Sequence, residues 1–515
     1  MFQIKDLKDM TIEEKIGQLI MIGFLGTKMD DDFKYMIEHY KAGNVILFSR
    51  NYSDSKQIKK LLKETYETIE NVTGSFPLVS IDQEGGMVTR LFKDVTFPAS
   101  PMTTSATSFK KAPYITGSII ARDMLKLGIN MNLAPCLEIN KNLSSPLANV
   151  RSYGGNKELV LKNTQAFVDG MSKVGVLSTL KHFPGAGSST KDSHLELPII
   201  TLSKKEMMND AMYPFINLKG ADAIMSSHCL FKAFDEVPST LSHNLLTKFL
   251  REERGFDGII ISDGMEMKAI ADNYGIGQGS VMALKAGCDI LLLCHEKSQQ
   301  IEAFEAVIKA YKDGIITEDE INEKVERINR AKNKVLKGLI KYDFINKPYK
   351  VVKKEHKVMT KIVDSSYTLL KGEAPRVSED TLIISPKAIV SSIVEDEFNQ
   401  RDLAKALRNA FPHNIVYEFN DSLTLENLNK NIDNYKEILI FTYDACSDQK
   451  QQLITNELLK GQKEVFVVSL KGPTDKQYLN NLKNYACLYE YTPNSIQTIV
   501  KQLKGKLKMK GKLPK

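Results

Sequence analysis

One stretch of the sequence places an imidazole and a carboxylate close together on a loop. Residues 181–194 read KHFPGAGSSTKDSH and follow the strand-like run 176–180. A proline and a glycine end that strand, because proline has no N–H for a β-ladder and glycine permits a turn. The carboxylate of Asp192 can hold one nitrogen of the His194 imidazole while the other nitrogen transfers a proton. An isolated Asp-x-His pair is more often an ordinary polar turn. The acid/base prediction therefore needs support from other candidate residues elsewhere in the sequence.

Polar side chains directly follow several other apolar runs in the first 300 residues. A lone aspartate after a strand usually caps the next helix, but polar side chains that meet at one mouth can form a site. The set is Asp82, Glu84 and Arg90; Arg151; Lys181 and His182; Ser226, Ser227 and His228; and Ser262 and Asp263. It contains no evident three-ligand metal cluster, although its aspartates and histidines could be arranged into one. The sequence also lacks the G-x-S-x-G elbow of serine hydrolases.

Eight apolar runs, each followed by a helix-like segment, must position these side chains. Near-continuous Val, Ile, Leu and Met runs are typical of strands buried on both faces of a parallel sheet. The runs are 19–24, 44–48, 77–81, 131–137, 176–180, 221–225, 258–261 and 289–293. Eight β-then-α units predict a (β/α)8 TIM-type barrel, an α/β fold that places functional groups at the carboxyl ends of its strands. A doubly wound open sheet is the alternative, but no G-x-G-x-x-G follows the first run.

The 515-residue chain is too long for one ordinary domain. Residues 1–341 form the predicted catalytic barrel, and residues 342–370 form a Lys-rich linker. Residues 371–515 form a smaller α/β sandwich domain with a mostly parallel sheet and a basic tail. Its strand candidates are 382–385, 415–419, 438–443, 465–470 and 487–491.

The net charge of +7 comes from the end of the sequence, because residues 501–515 contain seven Lys and no acid. The rest of the chain is neutral overall. We expect the tail to be a frayed, solvated end, and a weak contact with an anionic polymer or membrane surface is the alternative. We expect no nucleic-acid partner.

The six cysteines lie in or beside apolar runs and form no C-x-x-C pair. This pattern indicates small core residues in a reducing compartment. The first residues show no signal-peptide pattern, and no apolar run is long enough to span a membrane. The expectation is therefore a cytoplasmic protein, or a secreted one if a leader was removed. Trp is absent, so Tyr and Phe would have to provide any aromatic contact with a sugar.

Three motifs make the chain resemble glycoside hydrolase family 3, in particular its bacterial β-N-acetylglucosaminidase branch. They are IDQEGG at 81–86, KHFPGAGSSTKDSH at 181–194 and GFDGIIISD at 255–263. Shorter matching motifs continue into the second domain, so the resemblance covers nearly the whole chain. The KHFPG…DSH pattern is specific to this branch, since other glycosidases of the family usually take their acid from elsewhere.

The resemblance implies a role for each candidate residue. Asp263 would be the nucleophile, His194 the general acid/base, and Asp192 the residue that holds the His194 tautomer. The positions that hold sugar hydroxyls in relatives correspond here to Asp82, Arg90, Arg151, Lys181 and His182. The resemblance implies no cofactor and no metal. An imidazole in place of the usual second carboxylate can still exchange protons near neutral pH.

The sequence departs from the family pattern at three positions. Ala186 stands where relatives typically have His, Ser188 where they have Asp, and Glu138 where Asp is common. The first two lie in the loop that carries the proposed acid/base. We expect them to alter loop dynamics or subsite preference, and we do not expect them to abolish activity.

The function implied by the resemblance is that of a retaining exo-β-N-acetylglucosaminidase. Its substrate would be a saccharide with a terminal N-acetylglucosamine, derived from peptidoglycan or chitin. The alternatives are a phosphorylase of the same fold, a catalytically silent sugar-binding protein and a metal-dependent barrel hydrolase. The sequence does not indicate an oligomeric state.

Overall fold

The computed structural model describes residues 2–141, 148–187, 193–387, 402–420 and 422–515. Its first part is a closed barrel of eight parallel strands, as the sequence predicted. The strands are β1 (Ile20–Ile22), β2 (Asn44–Leu47), β3 (Leu78–Ile81), β4 (Met131–Asn132), β5 (Leu177–Phe183), β6 (Ala223–Ser226), β7 (Ile259–Gly264) and β8 (Ile290–Leu293). Their order around the barrel is β1-β8-β7-β6-β5-β4-β3-β2, so each strand pairs with its sequence neighbours. All eight carboxyl ends therefore point to one mouth.

Helices surround the barrel and connect its strands. Those of the first part are α1 (Ile12–Gln18), α2 (Asp31–Tyr40), α3 (Ser55–Thr73), α4 (Pro101–Ala106), α5 (Ala112–Leu127), α6 (Lys157–Val174), α7 (Lys204–Asn209), α8 (Tyr213–Asn217), α9 (Lys268–Tyr274), α10 (Ile276–Ala286), α11 (Lys297–Lys312), α12 (Glu318–Tyr342) and α13 (Lys353–Ser366), with a π-helix at Asn244–Glu253. The first begins at a capping box between Thr11 and Glu14. Across the described part of the chain, no helix has the length and apolar character needed to cross a membrane.

The fourth strand is much shorter than its apolar run. The run extends to Leu137, but regular pairing stops at Asn132 because Pro135 has no N–H to donate. The segment stays beside β5 through the N–H of Leu137, which donates to the carbonyl of Lys181 at 2.7 Å. This irregular path brings the residues after β4 directly against the end of β5.

The second part of the chain contains a six-stranded sheet. Its strands are β9 (Thr368–Lys371), β10 (Thr381–Pro386), β11 (Val416–Phe419), β12 (Glu437–Thr442), β13 (Glu464–Ser469) and β14 (Asn484–Cys487), in the order β9-β14-β13-β12-β10-β11. Only the pairing of β9 with β14 is antiparallel, so the sheet is mostly parallel as predicted. Its helices are α14 (Leu403–Ala410), α15 (Leu425–Ile432), α16 (Gln449–Lys460) and α17 (Pro493–Leu503).

The predicted linker, residues 342–370, contains regular structure. Helix α13 occupies Lys353–Ser366, and most of strand β9 follows within the same segment. Buried Met359, Ile362 and Val363 pack α13 against barrel residues such as Ile119. The passage between the two parts of the chain is therefore held by packing along one face of a helix.

The second sheet packs on the barrel loops that follow β3 and β4. Met87, Met102, Ala106 and Val150 share one buried cluster with residues of β12, β13 and β14. The N–H of Ser100 donates to the buried Glu490 carboxylate at 2.7 Å. The predicted strand 487–491 was placed too late, because the structure ends the strand at Cys487 and turns the following residues toward the barrel.

The basic tail is ordered, and the prediction of a frayed end was wrong. The N–H of Gly511 donates to the Tyr367 carbonyl at 3.0 Å, and that of Lys512 donates to the Ala106 carbonyl at 2.9 Å. The carbonyl of Pro514 accepts from Gly155 at 3.3 Å. Charge alone suggested solvation, but the apolar residues between the lysines pack against the cluster shared by the two domains.

Candidate active site

A cavity of about 600 Å³ opens at the carboxyl ends of the barrel strands. The eight strands bring together candidate residues that lie as far apart as 82 and 263 in the sequence. The candidates that line it are Asp82, Arg90, Arg151, Lys181, His182, His194 and Asp263. Ala186 also lines it, whereas Ser188 and Asp192 lie outside the described residues. The structure therefore gathers seven of the eight candidate residues at one site and does not test the placement of Asp192.

The Lys181 ammonium joins two carboxylates on one wall of the cavity. Its Nζ lies 2.7 Å from Asp82 Oδ1 and 2.6 Å from Glu84 Oε1. Burial raises the pKa of Asp82, but the neighbouring Lys181 and Arg90 outweigh that effect and hold it below the ordinary value. This wall therefore presents ionised groups whose charges are already paired.

The Arg151 guanidinium holds Glu84 through a two-point contact. Nε donates to Oε2 at 2.9 Å and Nη2 donates to Oε1 at 2.8 Å, the fork geometry that arginine makes with carboxylates. Burial raises the pKa of Glu84, but Arg151 and Lys181 overcome it and hold the pKa far below the ordinary value. Glu84 therefore remains ionised and cannot donate the catalytic proton.

A buried carboxylate orients His182. Oε1 of Glu138 accepts from the His182 backbone N–H at 2.8 Å and lies 2.7 Å from its Nδ1, while Oε2 accepts from the Cys136 thiol at 2.5 Å. The other ring nitrogen of His182 is left to act in the cavity. Ligand atoms of these three residues lie within 4.8 Å of one another, so among the described residues this trio is the group that could approach a metal.

The Asp263 carboxylate ends β7 at the centre of the mouth. Its Oδ1 accepts from the Gly264 N–H at 2.8 Å. Burial raises the pKa of Asp263, but the neighbouring His182, His228 and His194 outweigh it and hold the pKa below its ordinary value. An ionised carboxylate surrounded by imidazoles is a competent nucleophile near neutral pH.

Two further histidines flank this carboxylate in different ways. His228 is buried, with Nε2 2.9 Å from the Gly264 carbonyl and Nδ1 2.8 Å from the Thr240 hydroxyl, and burial lowers its pKa. It therefore braces the backbone beside the nucleophile. His194 is half-buried at the cavity wall, where it can reach a bound substrate.

The structure adds contacts that the sequence did not predict. Glu84 was a strand-end candidate and Glu138 a departure from the family pattern, but the pairing of Glu84 with cations and of Glu138 with His182 depends on which loops meet. Arg50 and Glu266 line the cavity as well. Glu266 stands three residues after Asp263, and this spacing is the one sequence feature that could have predicted its place in the cavity.

Comparisons with known proteins show the family of the chain. The glycosyl hydrolase family 3 N terminal domain matches residues 11–331. A β-hexosaminidase of Tolumonas auensis is 34% identical over 285 residues, which cover 54% of this chain and 83% of that protein. The structure of a glycoside hydrolase family 3 β-N-acetylglucosaminidase from Paenibacillus sp. str. FPU-7 aligns over 98% of both chains, at 31% identity and a TM-score of 0.90.

A more distant structure, that of a β-glucoside phosphorylase, aligns over 99% of this chain and 94% of its own at a TM-score of 0.81. At 22% identity it shows a shared fold and nothing about the reaction. The match to the N-terminal domain covers the residues that line the catalytic cavity. The chain belongs to glycoside hydrolase family 3, in the branch of the bacterial β-hexosaminidases, and it is a glycoside hydrolase.

Proposed function

We propose that the enzyme is a retaining exo-β-N-acetylglucosaminidase that acts on peptidoglycan- or chitin-derived saccharides. The observation that carries the proposal is the position of the Asp263 carboxylate, which shares one cavity with the paired charges of Asp82, Glu84, Lys181 and Arg151. Fixed carboxylates and cations suit the hydroxyl groups of a sugar ring. The names of the hexosaminidase relatives support an amino sugar as that ring.

The proposed reaction has two steps. In the first, Asp263 attacks the anomeric carbon and forms an ester while the glycosidic C–O bond breaks and His194 gives its proton to the departing oxygen. In the second, His194 takes a proton from water, the water oxygen attacks the same carbon, and the Asp263 carboxylate leaves. Each step inverts the carbon, so the product keeps the β configuration.

Turnover of an aryl β-N-acetylglucosaminide followed by proton NMR tests this mechanism. The first-formed sugar is expected to be the β-anomer. A first-formed α-anomer contradicts the covalent intermediate, and no turnover at all would favour the silent sugar-binding alternative. Adding inorganic phosphate distinguishes a phosphorylase from a hydrolase, because a phosphorylase would release a sugar 1-phosphate and a hydrolase releases the free sugar. A chelator that leaves turnover intact would remove the metal-dependent alternative.

The role of His194 is tested through the leaving group. His194→Ala should slow a disaccharide substrate far more than an aryl glycoside with an acidic phenol, which departs without a proton. Equal slowing of both substrates would make His194 a binding residue. The strand-end carboxyl Glu84 would be the first alternative acid from the sequence, but Arg151 and Lys181 hold its pKa far below the ordinary value, so it does not suit that role.

The proposed compartment is the cytoplasm, and the cysteines support this proposal. None of the six forms a disulfide, and five of them are buried. Cysteines that form no disulfide in a large chain are typical of a reducing compartment. Detection of the activity in a culture supernatant, with none in the cytoplasmic fraction, would contradict this proposal.

A further inference from the structure

The barrel has a second cavity, on the other side of its wall from the catalytic one. Its volume is about 850 Å³, and it lies between strands β5, β6 and β7 and the helices α8, α12 and the π-helix. Ile224 of β6 lines this cavity, whereas the next residue, Met225, lines the catalytic cavity. Successive side chains of a strand point to opposite faces, so the barrel wall separates the two cavities. The proposed reaction makes no use of this second space.

The inner surface of the second cavity is aromatic and aliphatic. Phe215 and Ile216 come from α8, Phe249 and Leu250 from the π-helix, and Phe256 from the loop before β7. Ile216 and Phe256 are only partly buried, and the other three keep between 3% and 6% of their surface exposed. A concave surface lined by apolar and aromatic side chains is typical of a site for an organic molecule.

The rim of this cavity carries more positive than negative charge. Five cationic and three acidic side chains line it: Lys219, Arg254, Arg327, Arg330, Lys334, Asp222, Glu253 and Asp257. Asp222 and Asp257 each lie 2.7 Å from a cation of α12. Lys219, Arg254 and Glu253 form no ion pair with any residue that the structure describes. Two exposed cations therefore stand against one exposed acid at the rim.

The Arg254 guanidinium stands directly beside the apolar wall. Its central carbon lies 5.1 Å from the centre of the Phe249 ring. Arginine can hold a carboxylate through two parallel hydrogen bonds while the apolar part of the same molecule covers the neighbouring ring. The π-helix that carries Phe249 ends next to Arg254, and π-helical segments are rare and frequent at functional sites.

We propose that this second cavity binds a small amphipathic anion, a free organic acid with one carboxylate on an apolar body. The apolar body lies against Phe215 and Phe249, and the carboxylate meets Arg254 and Lys219 at the rim. A neutral apolar molecule would leave both cations without a partner. A simple inorganic anion would leave the apolar wall uncovered. The site is independent of the proposed glycosidase reaction.

The absence of tryptophan from the chain makes a direct binding test possible. Phe256→Trp places a single indole at the cavity, and its fluorescence should change saturably when decanoate is added. Decanol has the same chain without the charge and should bind at least about 10-fold more weakly, because hydrogen bonds to a charged group are the strong ones. Isothermal titration of the wild-type chain with decanoate should give a similar affinity, which shows that the indole does not create the site.

Charge variants in the Phe256→Trp protein locate the carboxylate. Arg254→Gln should weaken decanoate binding by at least about 10-fold and leave decanol binding unchanged. Lys219→Gln should have a smaller effect of the same kind. Lys248→Gln is the matched control, because it removes an exposed cation of the same π-helix that does not line the cavity. Ala331→Phe should fill the cavity and prevent binding of both compounds, and Arg254→Gln decides the matter if that variant does not fold.

The proposal is overturned if decanoate produces no saturable change, if decanol binds as tightly as decanoate, or if Arg254→Gln binds decanoate like its parent. Displacement of decanoate by an equal concentration of inorganic phosphate would show a plain anion site and would also contradict it. A parallel titration with naphthalene-2-carboxylate identifies the apolar body, since tighter binding of that acid would indicate an aromatic ligand and tighter binding of decanoate an aliphatic one.

Discussion

Both parallel sheets of this protein carry buried charges at their carboxyl edges, but only one of them forms a catalytic cavity. At the barrel mouth, Lys181 joins Asp82 and Glu84. At the second sheet, Lys471 lies 2.9 Å from Asp444 Oδ2, and the Thr442 hydroxyl donates to Asp475 Oδ2 at 2.6 Å. Both acids of the second sheet are less than one-tenth exposed.

The difference follows from sheet closure. In a closed ring the strand ends face one another across a central space, so their side chains converge on a substrate. In an open sheet the strand ends lie in a row, and the polar groups are covered by the adjoining loops. All residues that line the catalytic cavity belong to the barrel. Similar residue types therefore serve catalysis at one edge and structure at the other.

The largest expected effect is on turnover. Asp263→Asn keeps the shape of the nucleophile and removes its charge, so kcat should fall by at least about 1,000-fold, with sugar binding retained. Asp475→Asn is the matched control, because it makes the same chemical change at the other carboxyl edge. Its kcat should equal that of wild type. Near-normal turnover in Asp263→Asn would remove the distinction between the two edges.

Arg151→Met should affect both activity and stability. It leaves Glu84 buried without its two-point contact, so the free energy of unfolding should fall by about 4 kcal/mol, with a large loss in kcat/KM. Chemical denaturation and steady-state kinetics measure the two effects. Arg151→Met combined with Glu84→Gln should recover most of the stability and little of the activity. Unchanged stability in the single variant would contradict this account of the barrel mouth.

Lys471→Met should separate stability from catalysis. It removes the cation beside the buried Asp444, so the free energy of unfolding should fall by about 3 kcal/mol. Turnover per folded molecule should stay at the wild-type value, because the side chain lies outside the catalytic cavity. A lower kcat in fully folded protein would show that the second sheet contributes to the reaction.

The smallest expected effect is a change in how stability depends on pH. Burial raises the pKa of Asp475 to about 6, above its value in the unfolded chain. The folded state therefore binds the proton more tightly, and this contribution to stability falls as the pH rises from about 4 to about 6. Asp475→Asn should remove that fall and add about 2 kcal/mol to the free energy of unfolding at pH 7. Urea denaturation across this pH range measures it, and parallel curves for both proteins would be the contrary result.

The sequence by itself determined the barrel and the members of its mouth. Buried runs such as 44–48 and 289–293 have no polar face, so they require helices on one side and neighbouring strands on both edges. Once eight such runs alternate with helices, Asp82, Lys181 and Asp263 must meet, because parallel strands bring their carboxyl ends together. The same logic predicted the mostly parallel second sheet.

Only the tertiary structure decided how these groups are paired and which of them are charged. The early end of β4 at Asn132 brings Glu138 against His182, a contact between residues 44 positions apart. The order of the basic tail depends on a surface shared by two domains. Local patterns determine which residues are buried and at which strand end they lie. Ion pairing and protonation depend on the distances between segments that are remote in sequence, and folding alone sets those distances.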